Sequence, residues 1–177
     1  DLERIKAFYH RQGYVDVTVD YEMRVDPKRP FCYITLKLNE GNKYLVATVT
    51  LKGNKDIKES DLKTALKLAT PGKVFSQEAM KEDIGAIQSL YFDKGYISMA
   101  LQESTALNTA TGRIDITYTI VENTIASVDK IKIRGNNKTK DVVIRRELRI
   151  HPGDKFDGDK LRRSKERLQN LGFFEEV

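Results

Sequence analysis

Two histidines and one cysteine are the residues best suited to acid–base, nucleophilic or metal chemistry, and none has a partner at a useful spacing. His10 falls three residues before Gly13, near the expected end of a helix, where a cation complements the helix dipole. His151 falls in a loop between two expected helices. Neither has a carboxylate or cysteine placed for a catalytic triad or a metal site. Cys32 stands alone among apolar strand residues and reads as a small core hydrophobe; a single thiol makes no disulfide framework and no cysteine cluster. The adjacent carboxylates Glu82-Asp83 and Glu175-Glu176 point to different faces of a helix and read as solvated. The Gly53-Asn54 and Gly135-Asn136 turns lack a Lys-Ser/Thr pair at phosphate-loop spacing. The expectation is a protein without catalysis, metal, cofactor or small-molecule substrate.

Two features point to binding instead. The first is basic. Residues 1–123 carry 17 Lys/Arg and 17 Asp/Glu, whereas residues 124–177 carry 14 and 9, so the whole net charge of +5 lies in the last third. Arg145, Arg146 and Arg149 come from one expected helix, with Glu147 among them, and Arg162, Arg163 and Arg167 come from the next. Arg145 and Arg149 are four apart, as are Arg163 and Arg167, so each pair is expected to share a face. Arginine suits bidentate contacts to carboxylates and phosphates, and the asymmetry points to an acidic or anionic neighbour. The second feature is a strand expected over residues 97–104. Ile97, Met99 and Leu101 alternate with Ser98, Ala100 and Gln102, with Glu103 as a gatekeeper charge and no proline. Such an edge can accept an extended peptide by backbone hydrogen bonds.

The elements that must position these groups follow from a repeat of 81 to 82 residues. Gly53-Asn54-Lys55 returns as Gly135-Asn136-Asn137, and Pro71-Gly72-Lys73-Val74-Phe75 returns as Pro152-Gly153-Asp154-Lys155-Phe156. Tyr9 and Gly13-Tyr14 match Tyr91 and Gly95-Tyr96, and Glu40 falls where Glu122 falls later. Within the complete middle unit, alternation at Leu45, Ala47, Val49 and Leu51 predicts a strand. Leu62, Ala65, Leu66 and Ala69 predict a first helix. Ser76 is the expected N-cap of a second helix, whose buried stripe is Met80, Ile84, Ile87 and Tyr91 and which Gly95 stops. Two strands follow, the last through Ile114, Ile116, Tyr118 and Ile120.

The order strand–helix–helix–strand–strand gives an α+β fold: tandem two-layer units, each a three-stranded mixed sheet under two helices. The expected division is residues 1–41, the C-terminal part of one unit; 42–122, a complete unit; and 123–177, the N-terminal part of a third. The partial units are expected to leave apolar faces uncovered. In the last unit Ile131 and Ile133 read as the first strand, with helices from Lys140 and from Asp157.

The run Ile131-Lys132-Ile133-Arg134-Gly135-Asn136, then Asp141-Val142-Val143-Ile144-Arg145-Arg146-Glu147-Leu148-Arg149, then Lys165-Glu166-Arg167-Leu168-Gln169-Asn170-Leu171-Gly172-Phe173-Phe174-Glu175 resembles the last polypeptide-transport-associated (POTRA) domain of the BamA family of outer-membrane β-barrel assembly proteins. Asp83, Leu90-Tyr91 and Gly95-Tyr96 resemble the POTRA unit before it, and Tyr9 with Gly13-Tyr14 the one before that. The resemblance covers essentially the whole chain, as third, fourth and fifth units.

It implies a periplasmic region, carried by an outer-membrane β-barrel of a Gram-negative bacterium and close to the membrane surface. It implies partners: a helical-repeat accessory lipoprotein and unfolded outer-membrane protein clients. The matching docking surface is Arg145, Arg146, Glu147 and Arg149, with Glu147 and Arg149 foremost. The two-partner-secretion and cell-division proteins that use the same domain remain alternatives. A KH-like nucleic-acid module is disfavoured, because the loop from Ala69 to Phe75 lacks the second glycine of a Gly-x-x-Gly clamp and no aromatics interleave with the arginines.

Overall fold

The computed structural model describes residues 1–174 and 176–177, so the Glu175 carboxylate and the last residue of the Leu-Gly-Phe-Phe-Glu motif lie outside the described residues. The chain runs α1 (Leu2–Arg11), β1 (Thr18–Val25), β2 (Cys32–Asn39), β3 (Leu45–Lys52), α2 (Glu59–Ala65), α3 (Gln77–Asp93), β4 (Ala100–Asn108), β5 (Arg113–Val121), α4 (Asp141–Glu147) and α5 (Gly158–Asn170).

Strands β3, β4 and β5 form one sheet in the order β3-β5-β4, with β3 parallel and β4 antiparallel to β5. This is the mixed sheet expected. Leu51, Leu66, Ile87 and Ile116 are buried in a single core under α2 and α3, and Ile84 and Leu101 are partly buried against it. Strand β3 departs from strict alternation. The register shifts between Val46 and Thr48, so Val46, rather than Leu45 or Ala47, is fully buried together with Val49 and Leu51. One extra residue at a bulge reverses the face of everything before it.

Local signals hold the helices in place. The Ser76 hydroxyl accepts from the Ala79 N–H at 3.4 Å and caps α3. Helix α2 stops at Ala65 because Leu66 is extended, so Ala69 lies beyond it. Asp83 explains the stop. Its carboxylate accepts from the N–H of Lys67 at 2.6 Å and of Leu68 at 3.1 Å, two donors that follow the helix end. Asp83 is therefore fully buried, not solvated as its adjacency to Glu82 suggested. Burial pushes its carboxyl up from the ordinary range, and the two backbone donors pull it part of the way back.

The repeated Gly-Asn turns do one job twice. Asn54 Nδ2 donates to Ile57 O at 3.1 Å, and Asn136 Nδ2 to Thr139 O at 2.9 Å. Gly53 adopts φ +84° where a Cβ would lie 2.0 Å from Ile120 O on β5. Gly135 adopts φ +83° with nothing near it, because among the described residues no strand returns past it.

That missing partner also corrects the reading of Ile131 and Ile133. They are not in a strand. In the middle unit the first strand pairs with β5, which comes after both helices; among the described residues no strand after α5 supplies that ladder. Helices α4 and α5 form as expected, with Asp157 accepting from the Lys160 N–H at 2.9 Å. In the first unit β1 and β2 pair antiparallel, with Val19 opposite Leu38, Tyr21 opposite Leu36, Met23 opposite Ile34 and Val25 opposite Cys32. This apolar face is buried at Val19 and open from Tyr21 onward. Cys32 is thus exposed, against the expectation of a core position, because it sits at the uncovered end of that face.

Candidate partner-binding surfaces

The arginine surface is built by α4 and α5, and its charges divide into different tasks. Helix α4 ends at Glu147, and Leu148 is extended, so Arg149 lies past the helix and does not share the Arg145 face. The Arg149 N–H donates to Ser164 Oγ at 2.7 Å, and that hydroxyl donates to Lys160 O at 2.7 Å. Ser164 thus stands where Asp83 stands in the middle unit, closing the same helix end. Arg145 reaches Ile131 O at 3.3 Å and lies 4.0 Å from Asp141.

Glu147 joins the two helices. Its side chain is 14% exposed and accepts from Arg167 Nε at 3.0 Å and Nη2 at 2.8 Å, and from Arg146 Nε at 3.2 Å. The Arg167 guanidinium holds the Glu147 carboxyl below the usual range. Arg163 is paired to Asp159 at 2.8 Å, and Arg162 reaches Asp93 at 2.7 Å, in the middle unit. Of the residues singled out from sequence, Arg145, Arg146 and Arg149 are exposed and Glu147 is an internal brace.

The second surface is the free side of β4. The opposite edge of the sheet is partly closed by the segment before α3: Val46 N–H donates to Lys73 O, and Gly72 N–H to Val46 O, both at 2.8 Å. Among the described residues strand β4 pairs only with β5, along all nine of its own residues. Ala100, Leu101 and Gln102 lie in it; Ile97, Ser98 and Met99 precede it. Met99 N–H turns back to Tyr96 O at 3.1 Å, and Asn123 Nδ2 donates to Ser98 O at 2.6 Å, so the chain is still turning there. Ile97 is 52% exposed, Met99 and Leu101 partly buried. The edge is therefore displaced toward the C-terminus relative to the sequence reading and ends at Asn108.

A third arrangement holds this sheet to its helices. Glu122, just after β5, accepts at Oε1 from the N–H of Lys55 at 2.6 Å, of Asp56 at 3.0 Å and from the Tyr91 hydroxyl at 2.8 Å. Burial alone would raise its carboxyl; the three donors outweigh it and hold it below the usual range. Tyr9 repeats the contact with Glu40 at 3.0 Å. The Tyr96 hydroxyl bonds Asp56, which with burial pushes it up to about 12. The repeat offset paired Tyr9 with Tyr91 and Glu40 with Glu122, so the signal was present without its meaning. Among the described residues no group of three or more metal-ligating side chains gathers, and no helix is long and apolar enough to cross a membrane.

Comparison with known families decides what this architecture is. The POTRA profile, described as "Surface antigen variable number repeat", matches residues 44–123 and 126–177. The chain belongs to the POTRA family. All of its length aligns with BamA outer membrane protein assembly factors, 31% identical to that of Neisseria meningitidis serogroup B and 32% to that of Neorickettsia risticii. It spans 22% and 24% of those relatives' length.

A crystal structure of Haemophilus influenzae BamA POTRA3-5 superposes with a TM-score of 0.74 at 22% identity, over 99% of this chain and 70% of that one. Haemophilus ducreyi BamA lacking POTRA domains 1-3 superposes at 0.63 and 24% identity, over 76% and 25%. The similarity therefore runs to the POTRA region of BamA, and the tandem α+β units are POTRA units.

Proposed function

We propose that these POTRA units form a non-catalytic periplasmic scaffold of an outer-membrane protein assembly machine. They dock a helical-repeat accessory lipoprotein on the α4–α5 surface and guide extended client segments along β4 by strand addition. The observation that carries this reading is the free edge of β4: nine residues with one ladder used, in a sheet whose opposite edge is partly closed. Backbone pairing reads an extended shape and little sequence, which suits a guide for many clients. Arg145, Arg146 and Arg149 supply the charge for the docking partner, and Glu147 with Arg167 ties the end of α4 to α5 beside them.

Photo-crosslinkers placed at Gln102 and at Arg146 test this in cells. The expected outcome is crosslinking of unfolded outer-membrane proteins at Gln102 and of a lipoprotein at Arg146. Both positions silent, or the client captured only at Arg146, would reject the assignment.

A further inference from the structure

The two junctions between units share one backbone plan and are closed by different side chains. At the first, Tyr44 N–H donates to Gly13 O at 2.8 Å; at the second, Ala126 N–H donates to Gly95 O at 3.0 Å. Gly13 and Gly95 have φ of +95° and +94°. Both glycines are tightly seated, a Cβ at Gly95 lying 2.5 Å from Phe156 O and 3.0 Å from Ile125 Cγ2; the side chains that close the two junctions differ.

At the first junction Tyr44 is fully buried and its hydroxyl donates to Asp16 at 2.8 Å. Gly13 sits so close that a Cβ would lie 2.7 Å from Val74 Cγ1 and 3.1 Å from Tyr44 O. The Tyr44 ring is enclosed, while the Asp16 carboxylate that it meets is exposed. At the second junction Ala126 occupies the place of Tyr44, and Ile125 before it is 38% exposed. Closure comes instead from the helices. Arg162 on α5 meets Asp93 on α3 at 2.7 Å, with side chains 51% and 29% exposed. Phe92 packs edge-on against Phe156 with ring centres 5.0 Å apart. Gly158 makes room for both: a Cβ there would lie 2.6 Å from Phe92 Cδ1 and 2.7 Å from Asp93 Oδ1. At the first junction the positions matching Asp93 and Arg162 are Arg11 and Lys81, two cations that cannot form the pair.

We propose that the second junction is an electrostatically latched pivot, and that the first is fixed. A half-exposed ion pair is screened by salt, whereas the apolar burial of the Tyr44 ring is not. The unit carrying the arginine surface therefore changes its angle to the other two with ionic strength, or when an anionic partner competes for Arg162.

Spin-label distances in the 177-residue chain, with Cys32→Ser as background, test the difference. One pair at Ala7 and Gln88 spans the first junction; one at Gln88 and Lys165 spans the second. Raising salt from about 0.01 M to about 1 M should increase the open population across the second junction about two- to fivefold and leave the first unchanged. Asp93→Asn should do the same at low salt. Gly158→Ala should do it without changing any charge, and Asp93→Arg with Arg162→Asp should restore the narrow distribution. A second-junction distribution that stays narrow in high salt and in Asp93→Asn, or a first junction that broadens equally, overturns the proposal.

Discussion

Ile87 and Ile97 lie ten residues apart, and the structure gives them opposite fates. Ile87 is fully buried on the inner face of α3, whereas Ile97 is 52% exposed in the turn before β4. Truncating Ile87 to Ala removes three carbon groups from the core. At about 0.8 kcal/mol each the transfer loss is about 2.4 kcal/mol, and incomplete collapse around fully buried Tyr91, Ile116 and Tyr118 raises the total toward ~5 kcal/mol. For a unit of this size such a loss lowers the midpoint by roughly 10 °C or more. Ile97→Ala removes the same groups from a half-solvated site and should cost no more than about 1 kcal/mol. Urea unfolding, followed by the fluorescence of the middle unit's tyrosines, measures both. Equal costs, or an unchanged midpoint for Ile87→Ala, would refute the placement of the core and the start of β4.

Other outcomes follow from the same contacts. Tyr91→Phe removes a buried hydroxyl from the Glu122 carboxylate and should cost about 1.5–3 kcal/mol in the same assay. Because Glu122 is held below its ordinary range in the folded state, its contribution is full above its unfolded pKa and is lost as pH falls through the lower folded one; Glu122→Gln should flatten the fall in stability between about pH 6 and about pH 3. Glu147→Lys places a third cation beside Arg146 and Arg167, so it should lower the melting temperature of the last unit as well as lipoprotein capture. Arg146→Ala with Arg149→Ala should weaken capture with the melting temperature unchanged.

The sequence made the fold legible because each unit repeats its punctuation. Ser76, Asp157, Gly53, Gly95 and Gly135 act locally, and a local cap or positive-φ turn needs no knowledge of the rest of the chain. What stayed hidden depends on partners far along the chain. The bulge that buries Val46 is set by β5. Asp83 looks like half of a solvated pair until the end of α2 is seen lying against it. Cys32 has the neighbours of a core residue but sits on a face that the described residues leave open. The α4–α5 surface was legible as composition and not as geometry. Periodicity alone placed Arg145 and Arg149 together, whereas the early end of α4 separates them and Arg167 withdraws Glu147 from solvent.

Amide chemical-shift mapping tests whether the free edge of β4 takes an extended segment. The isotope-labelled chain is titrated with an extended peptide of alternating apolar and polar residues. Proline replacements at Gln102 and at Glu103 cover both parities, since one N–H of the two faces β5 and the other the open side. Edge pairing gives shifts concentrated on Ala100–Asn108, abolished in the one of these variants whose β5 pairing is intact. Shifts confined to α3, α4 and α5, or binding that persists in both proline variants, would contradict it.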